Sequence, residues 1–425
     1  MVIPKYKIIR EINLNNLTIL YISKKNIQMK SLKIIFLLLF TAFISCNDTS
    51  NSVSNLETIH ANIKQQLAPD KRVELFDIKF EIKNNTLVLK GETTTKKAFN
   101  LLLDSLKMKN ISFKNEVRIL PDSAVGNRKY ALGNNSVINI RTHPRHSSEL
   151  GTQGLLGMEL KVLDKRGSWY RVQTPDNYIS WVDGGGIERM TAKDLQNWNK
   201  KDKLIYTKNS GYVYEQKNVK STRVSDIAFG GILAIKKEHD SFYEVEYPDG
   251  RTGFLDKSEA VLYNSWLKKN PANAEFIETS AKTMLGVPYL WGGTSPKGND
   301  CSGFTKTVYL MNGFVIPRDA SQQIDAGKVV DEELKFEGLE KGDLMFFGTP
   351  AKDGKKMRVT HVGIWLGNGK GEFIHSASNV HLSSVNENEK HYDKFNTNRY
   401  LGSRRYLGVK DDKIIDLKES LIVKP

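Results

Sequence analysis

The 425-residue sequence predicts a multidomain chain: a small N-terminal α+β domain, two small β-barrels in tandem, and a C-terminal α+β domain. Three observations predict this. The length exceeds what one hydrophobic core supports. Residues 126–192 and 203–263 each read as a run of short strands with turn signals at small intervals, and the two runs share an order of features. A cysteine at a predicted helix start, Cys301, is followed downstream by predicted strands that carry His361 and His375.

A hydrophobic fraction of 39% and a charged fraction of 26% are those of globular protein. The net charge of +15 favours anionic partners such as cell-wall polymers, acidic lipids or nucleic acid. The basic residues are scattered and not interleaved with aromatics, so no nucleic-acid partner is expected.

The N-terminus carries a targeting signal. Residues 1–28 read as an upstream extension. Residues 29–33 are basic, residues 34–44 are almost entirely apolar, and Ser45-Cys46 precedes a polar stretch. The apolar run is about 11 residues, well short of the roughly 20 that span a bilayer. This order is that of a secretory signal, and the small residue before Cys46 resembles the bacterial lipoprotein box. The resemblance implies that Cys46 bears the lipid, that residues 1–46 are upstream extension and signal, and that the mature protein is exported and membrane-anchored, facing the periplasm or cell envelope. The chain has only two cysteines, so acylation of Cys46 leaves Cys301 as a lone thiol in an exported protein, with no disulfide role.

Residues 47–55 read as a polar tether. Within the 56–121 domain, residues 56–67 have helical spacing, residues 76–82 alternate with period two, Asn84-Asn85 marks a turn, residues 86–89 pair back, and residues 96–106 read as a second helix. No chemistry is visible there. The first barrel is read from strands at 136–141, 155–157, 160–163, 169–172 and 178–182; the second from 230–233, 242–245 and 248–254. The catalytic domain spans 270–410, and the lysine-rich residues 411–425 read as a surface tail.

Asn299 or Asp300 is a plausible N-cap for a helix beginning at Cys301 and ending at Asn312-Gly313. The helix dipole and free N–H groups there favour a thiolate, which lowers the expected thiol pKa. Residues 342–348, 360–366 and 372–376 read as strands, and the glycine-rich segment 367–371 joins the last two as a hairpin. A hairpin centred on Asn368 puts His361 directly opposite His375, on one face of the sheet. One imidazole then serves as base and the other orients it, the logic of a catalytic triad. A zinc site is the competing functional reading; no fourth ligand stands at a familiar spacing, and neither metal nor cofactor is expected.

The segments Tyr289-x-Trp291-Gly292-Gly293, Asp300-Cys301-Ser302-Gly303, Gly342-Asp343-Leu344, His361-Val362-Gly363-Ile364 and Phe373-Ile374-His375 resemble, in this order, the NlpC-type cell-wall cysteine peptidases. The resemblance covers about a third of the chain. It implies a circularly permuted papain-like fold and hydrolysis of the bond between γ-D-glutamate and a diamino acid in murein peptides. It makes Cys301 the nucleophile, His361 the base, His375 the third member and Tyr289 a stabiliser of the oxyanion. The two barrels look like bacterial SH3-like domains, which brings the resemblance to the YkfC-like subgroup. Those enzymes cut peptides with a free N-terminal L-alanine and bind its ammonium with an acidic residue before the cysteine and groups from the first SH3-like domain. Asp300 matches the former, and Glu149 and Tyr178 are candidates for the latter, with Glu159 a rival to Glu149. Ser302, Trp291 and Ser321 are expected to line the pocket. A thiol amidase or acyltransferase on the same scaffold, and a wall-binding lipoprotein that does no chemistry, are the alternative functions.

Overall fold

The computed structural model of the protein describes residues 48–269 and 273–422. The expected signal sequence and lipidation site, Cys46, lie outside the described residues. No helix among the described residues is long and apolar enough to cross a membrane.

The N-terminal domain opens with a helix, Asp48–Leu67, which takes in nearly all of residues 47–55, expected as a polar tether, and is followed by an antiparallel hairpin of Phe76–Lys83 and Thr86–Thr93. Asn84 and Asn85 both take left-handed backbone angles, φ 47° and 58°, the pair that a two-residue hairpin turn needs. A helix, Lys96–Met108, then crosses over and returns the chain as a strand, Phe113–Ile119, parallel to Thr86–Thr93. That third strand is absent from the sequence reading, because Phe113-Lys-Asn-Glu-Val-Arg-Ile has little apolar alternation. Leu56, Phe76, Ile78, Leu89, Phe99, Leu102 and Leu106 close the core between helices and sheet. Each large apolar side chain so buried contributes about 1.5–3 kcal/mol.

The two barrels are topological copies. Counting the seven strands of each along the chain, both are laid out in the order 7-1-4-5-6-2-3. The first runs from Tyr130–Gly133 to Ile187–Met190, the second from Lys203–Tyr206 to Ala260–Leu262. Within the first, the sequence reading is off at residues 155–157. The strand is Leu150–Leu155, and Gly157, at φ 76°, belongs to the turn after it.

The C-terminal domain packs a helix, Cys301–Met311, against a six-stranded sheet ordered Lys328–Val329, Tyr400–Arg405, Leu344–Thr349, Arg358–Trp365, Glu372–Ser376, Val380–Ser384. Phe304 and Val308 of the helix meet Phe346, Val362, Ile364 and Ile374 of the sheet, all fully buried. Nearly every residue of this helix is buried, its first turn included.

Two expectations are corrected here. Ile364 pairs with Ile374 and Trp365 with Phe373, so the hairpin is centred on Gly369 and not on Asn368. The loop is the five residues 367–371, closed by the Leu366 N–H donating to the Glu372 carbonyl. His361 and His375 are therefore diagonal neighbours instead of directly opposed. The shift is two residues in register, and a period-two strand keeps both side chains on one face. Residues 411–422 are also not a free tail: Ile415–Asp416 pairs with Phe314–Val315, and the Gly327 N–H donates to Asp411.

Candidate active site

Asp300 is the N-cap of the Cys301–Met311 helix and accepts from the Gly303 N–H at 2.7 Å. Gly303 has no room for a side chain, since a Cβ would sit 1.9 Å from the Gly293 carbonyl oxygen. The helix start is thereby pressed onto the Trp291-Gly292-Gly293 loop. Gly292, at φ 81°, faces the first barrel so closely that a Cβ would lie 2.1 Å from the Leu150 carbonyl oxygen.

Cys301 is 7% exposed. The backbone N–H groups of Val362 and Ser302 point at its sulfur, which sets it beside the strand residue that follows His361. Burial, then the neighbouring Asp300 charge, push the thiol up to about 12, against the pull of those amides. This overturns the expected low thiol pKa: the helix start supplies N–H donors, but the closed core removes more hydration than they restore.

His361 Nε2 and His375 Nδ1 are 2.7 Å apart, and His375 Nε2 is 3.0 Å from the Ser383 hydroxyl. If His361 Nδ1 keeps the lone pair a base needs, its Nε2–H donates to His375 Nδ1, and His375 Nε2–H in turn donates to Ser383. Ser383, on Val380–Ser384, is thus the terminus of the relay. The sequence reading missed it, as a serine on the strand beyond the second histidine carries no motif. His381 lies tilted against His375, with ring centroids 4.4 Å apart and planes at 59°. Burial holds both histidines neutral: His361 is lowered to about 3 and, with the facing His361 as second cause, His375 to about 2. The resting site is a neutral thiol beside neutral imidazoles, able to pass a proton from Cys301 to His361 as a bond forms at sulfur. Tyr289 is half-buried beside them. Burial raises its phenol, with Cys301 the next cause, so it stays a hydrogen-bond donor across the physiological range.

Both oxygens of Asp300 are committed. Arg318, 1% exposed at its side chain, grips them at 3.1 and 2.6 Å, and Gly292 N–H and Ser302 Oγ add to the set. Of the two expected acidic groups, Asp300 is paired with Arg318, whereas Glu149 is exposed and accepts from the indole N–H of Trp291 at 2.6 Å. Glu159, the rival, bonds to Asn199. Tyr178 is buried, and its phenol is raised by burial and by Asp319. Trp291 is 62% exposed beside the cleft.

The first barrel is stitched to this domain. Thr294 and Gln153 exchange three hydrogen bonds of 3.0–3.1 Å, and Arg318 Nε donates to the Gly151 carbonyl. The N-terminal domain also reaches in. Arg72 donates to Asp319 at 2.8 Å and to Ser321 at 2.9 Å, and Asp70 receives Gln322. Ser321 therefore faces Arg72. No signal in residues 56–121 pointed to this contact, because a lone arginine in a turn has no periodicity.

Residues 286–404 match the NlpC/P60 family, and residues 140–186 match the bacterial dipeptidyl-peptidase SH3 domain. A γ-D-glutamyl-L-lysine dipeptidyl-peptidase of Bacillus cereus is 33% identical over 62% of this chain and 77% of its own. That of Bacillus subtilis is 30% identical over 53% and 71%. The crystal structure of an NlpC/P60 family protein from Bacillus cereus superposes with a TM-score of 0.55 at 28% identity, covering 65% of this chain and 99% of that one. With the family match spanning the cleft and a relative one third identical along most of its length, the chain belongs to the NlpC/P60 family of cell-wall peptidases, with a bacterial SH3 domain ahead of the catalytic one.

Proposed function

We propose that the protein hydrolyses the amide bond between γ-D-glutamate and the diamino acid of murein peptides, acting on peptides with a free N-terminal L-alanine, in cell-wall turnover or recycling. The observation that carries this reading is the bonded pair His361–His375 beside the buried Cys301, in a chain whose relatives are named for γ-D-glutamyl peptides. Cys301 attacks the γ-glutamyl carbonyl carbon as its proton passes to His361. The imidazolium, held by His375, protonates the leaving amine. Water deprotonated by His361 then cleaves the thioester and frees the acid. Tyr289 donates to the oxyanion.

Support for the free-amine preference comes from Glu149 and Trp291, which rim the cleft from two domains, and from the half-buried Asp319. In this reading Tyr178, Ser302 and Ser321 line the alanine pocket, and Asp300 acts on the ammonium through the charge network it shares with Arg318 and Asp319. The sequence supports anchoring by a lipid on Cys46; palmitate incorporation that survives Cys46→Ser would end that part.

The test is hydrolysis of L-Ala-γ-D-Glu-diamino acid peptides beside their N-acetylated forms, with Cys301→Ala as control. Fast thiol-dependent cleavage of the free-amine peptides is expected. Equal cleavage of both forms would remove the amine pocket, and no cleavage of either would end the assignment.

A further inference from the structure

Arg399 stands beside Thr360, the residue before His361, and has no ion-pairing carboxylate among the described residues. It follows the short helix Lys394–Thr397 and reaches back over the sheet. One terminal nitrogen donates to Thr360 Oγ1 at 2.7 Å, and Thr360 directly precedes His361. Its Nε and the other terminal nitrogen donate to Asn396 Oδ1 at 3.0 and 2.9 Å. The guanidinium lies over the ring of Phe395, 4.4 Å from its centroid, and that ring is 71% exposed.

A guanidinium has five N–H donors. Three are accounted for by these contacts, and two have no acceptor among the described residues. No carboxylate oxygen among them lies within the 4.0 Å of an ion pair, although most arginines around the cleft have one, Arg72 with Asp70 and Arg318 with Asp300 among them. Its charge is the second cause, after burial, of the lowered His361; on Arg399 itself the Asp393 charge acts next after burial and then Cys301, although Asp393 stays beyond ion-pair distance and bonds to Asn396 instead. The site therefore holds a half-buried cation, oriented by Thr360, Asn396 and Phe395, with two N–H groups unspent.

The side of the cleft it occupies follows from the chemistry. His361 must protonate the departing nitrogen, so that nitrogen and what it carries lie on the His361 side of the sulfur. The acyl portion lies opposite, towards Asp300, Arg318 and the first barrel. Arg399 thus faces the amine product.

Resting on the proposed reaction, we infer that Arg399 receives a carboxylate of the leaving diamino acid. Two sources supply one: the α-carboxylate that any diamino acid presents when it ends the peptide, and the side-chain carboxylate that diaminopimelate has and lysine lacks. Planar, two-pronged recognition is what unspent guanidinium N–H groups offer.

The test uses the full chain and four peptides, L-Ala-γ-D-Glu-L-Lys and L-Ala-γ-D-Glu-meso-diaminopimelate, each with the diamino acid α-carboxyl free or as the amide. The expected wild-type result is a loss in kcat/KM of about 10- to 100-fold wherever the recognised carboxylate is missing. Acid over amide identifies the α-carboxylate; diaminopimelate over lysine identifies the side chain. Arg399→Gln should erase that discrimination while leaving the poorer peptide's rate within about threefold, and Arg399→Lys should retain part of it. A wild-type enzyme that cleaves all four equally refutes the Arg399 role and leaves the peptidase assignment standing. An Arg399→Gln loss equal on all four also refutes it, placing the arginine as a structural support of His361. Cleavage of none of the four overturns both.

Discussion

Replacing Asp300 by Asn isolates a buried ion pair at the foot of the cleft. Asn caps a helix about as well as Asp, so the bond from the Gly303 N–H is retained and the cap contributes little to the difference. What is lost is the charge facing Arg318, whose side chain is 1% exposed and whose Nη atoms bond to Asp300 at 3.1 and 2.6 Å. Breaking a buried pair by removing one partner costs about 3–5 kcal/mol, because the remaining charge is left uncompensated. Asp319 recovers a fraction of it, since one of its oxygens lies 3.8 Å from Arg318. The expected destabilisation is therefore about 3 kcal/mol, read from urea unfolding at pH 7 followed by intrinsic fluorescence. Arg318→Met alone should cost a similar amount, and Asp300→Asn with Arg318→Met should regain at least half of the summed loss, since neither charge is then stranded. A change below about 1 kcal/mol in Asp300→Asn, or strict additivity in the double variant, would refute the buried-pair reasoning.

Other outcomes follow from the same site. His361 and His375 are neutral when folded and pushed well below the ordinary 6.5, so the unfolded chain binds protons first. Their contribution to stability is present above about pH 6.5 and is lost as pH falls from there towards 3, a slope that His375→Gln should flatten in urea midpoints taken at pH 7, 5.5 and 4.5. With the thiol raised to about 12, alkylation of Cys301 by iodoacetamide should climb steadily from pH 6 to 9; a plateau above pH 5 would mean a preformed thiolate–imidazolium pair. Ser383→Ala removes the last acceptor of the relay, and kcat should fall about fivefold with KM unchanged, for one hydrogen bond of about 1 kcal/mol. Tyr289→Phe should unfold like the parent yet lose roughly 10²–10³ in kcat if the phenol serves the oxyanion.

Local chemistry was legible in the sequence wherever it is written in spacing. The Asp300 cap, the helix from Cys301 to the Asn312-Gly313 stop, the Asn84-Asn85 turn and the strand at residues 372–376 each rest on residues a few positions apart. The shared face of His361 and His375 was legible too, because strand parity survives a two-residue register shift, while the register itself was set by the length of the 367–371 loop. The order of strands in the two barrels followed from their repeated pattern only as a likeness; their identical pairing needed the fold.

By itself the sequence determined the candidate constellation: a thiol at a helix start, two histidines on neighbouring strands, and modules ahead of them. The tertiary structure alone decided the charge state and the walls of the cleft. Whether Cys301 rests as thiol or thiolate depends on how much water the packed helix and sheet exclude, a quantity summed over the whole core. That Asp300 belongs to Arg318, that Arg72 reaches Ser321 from more than 200 residues away, and that Arg399 bonds to Thr360, the residue before His361, are contacts between distant segments. A single arginine or aspartate leaves no periodic trace in a sequence, and only the close approach of packed domains selects its partner.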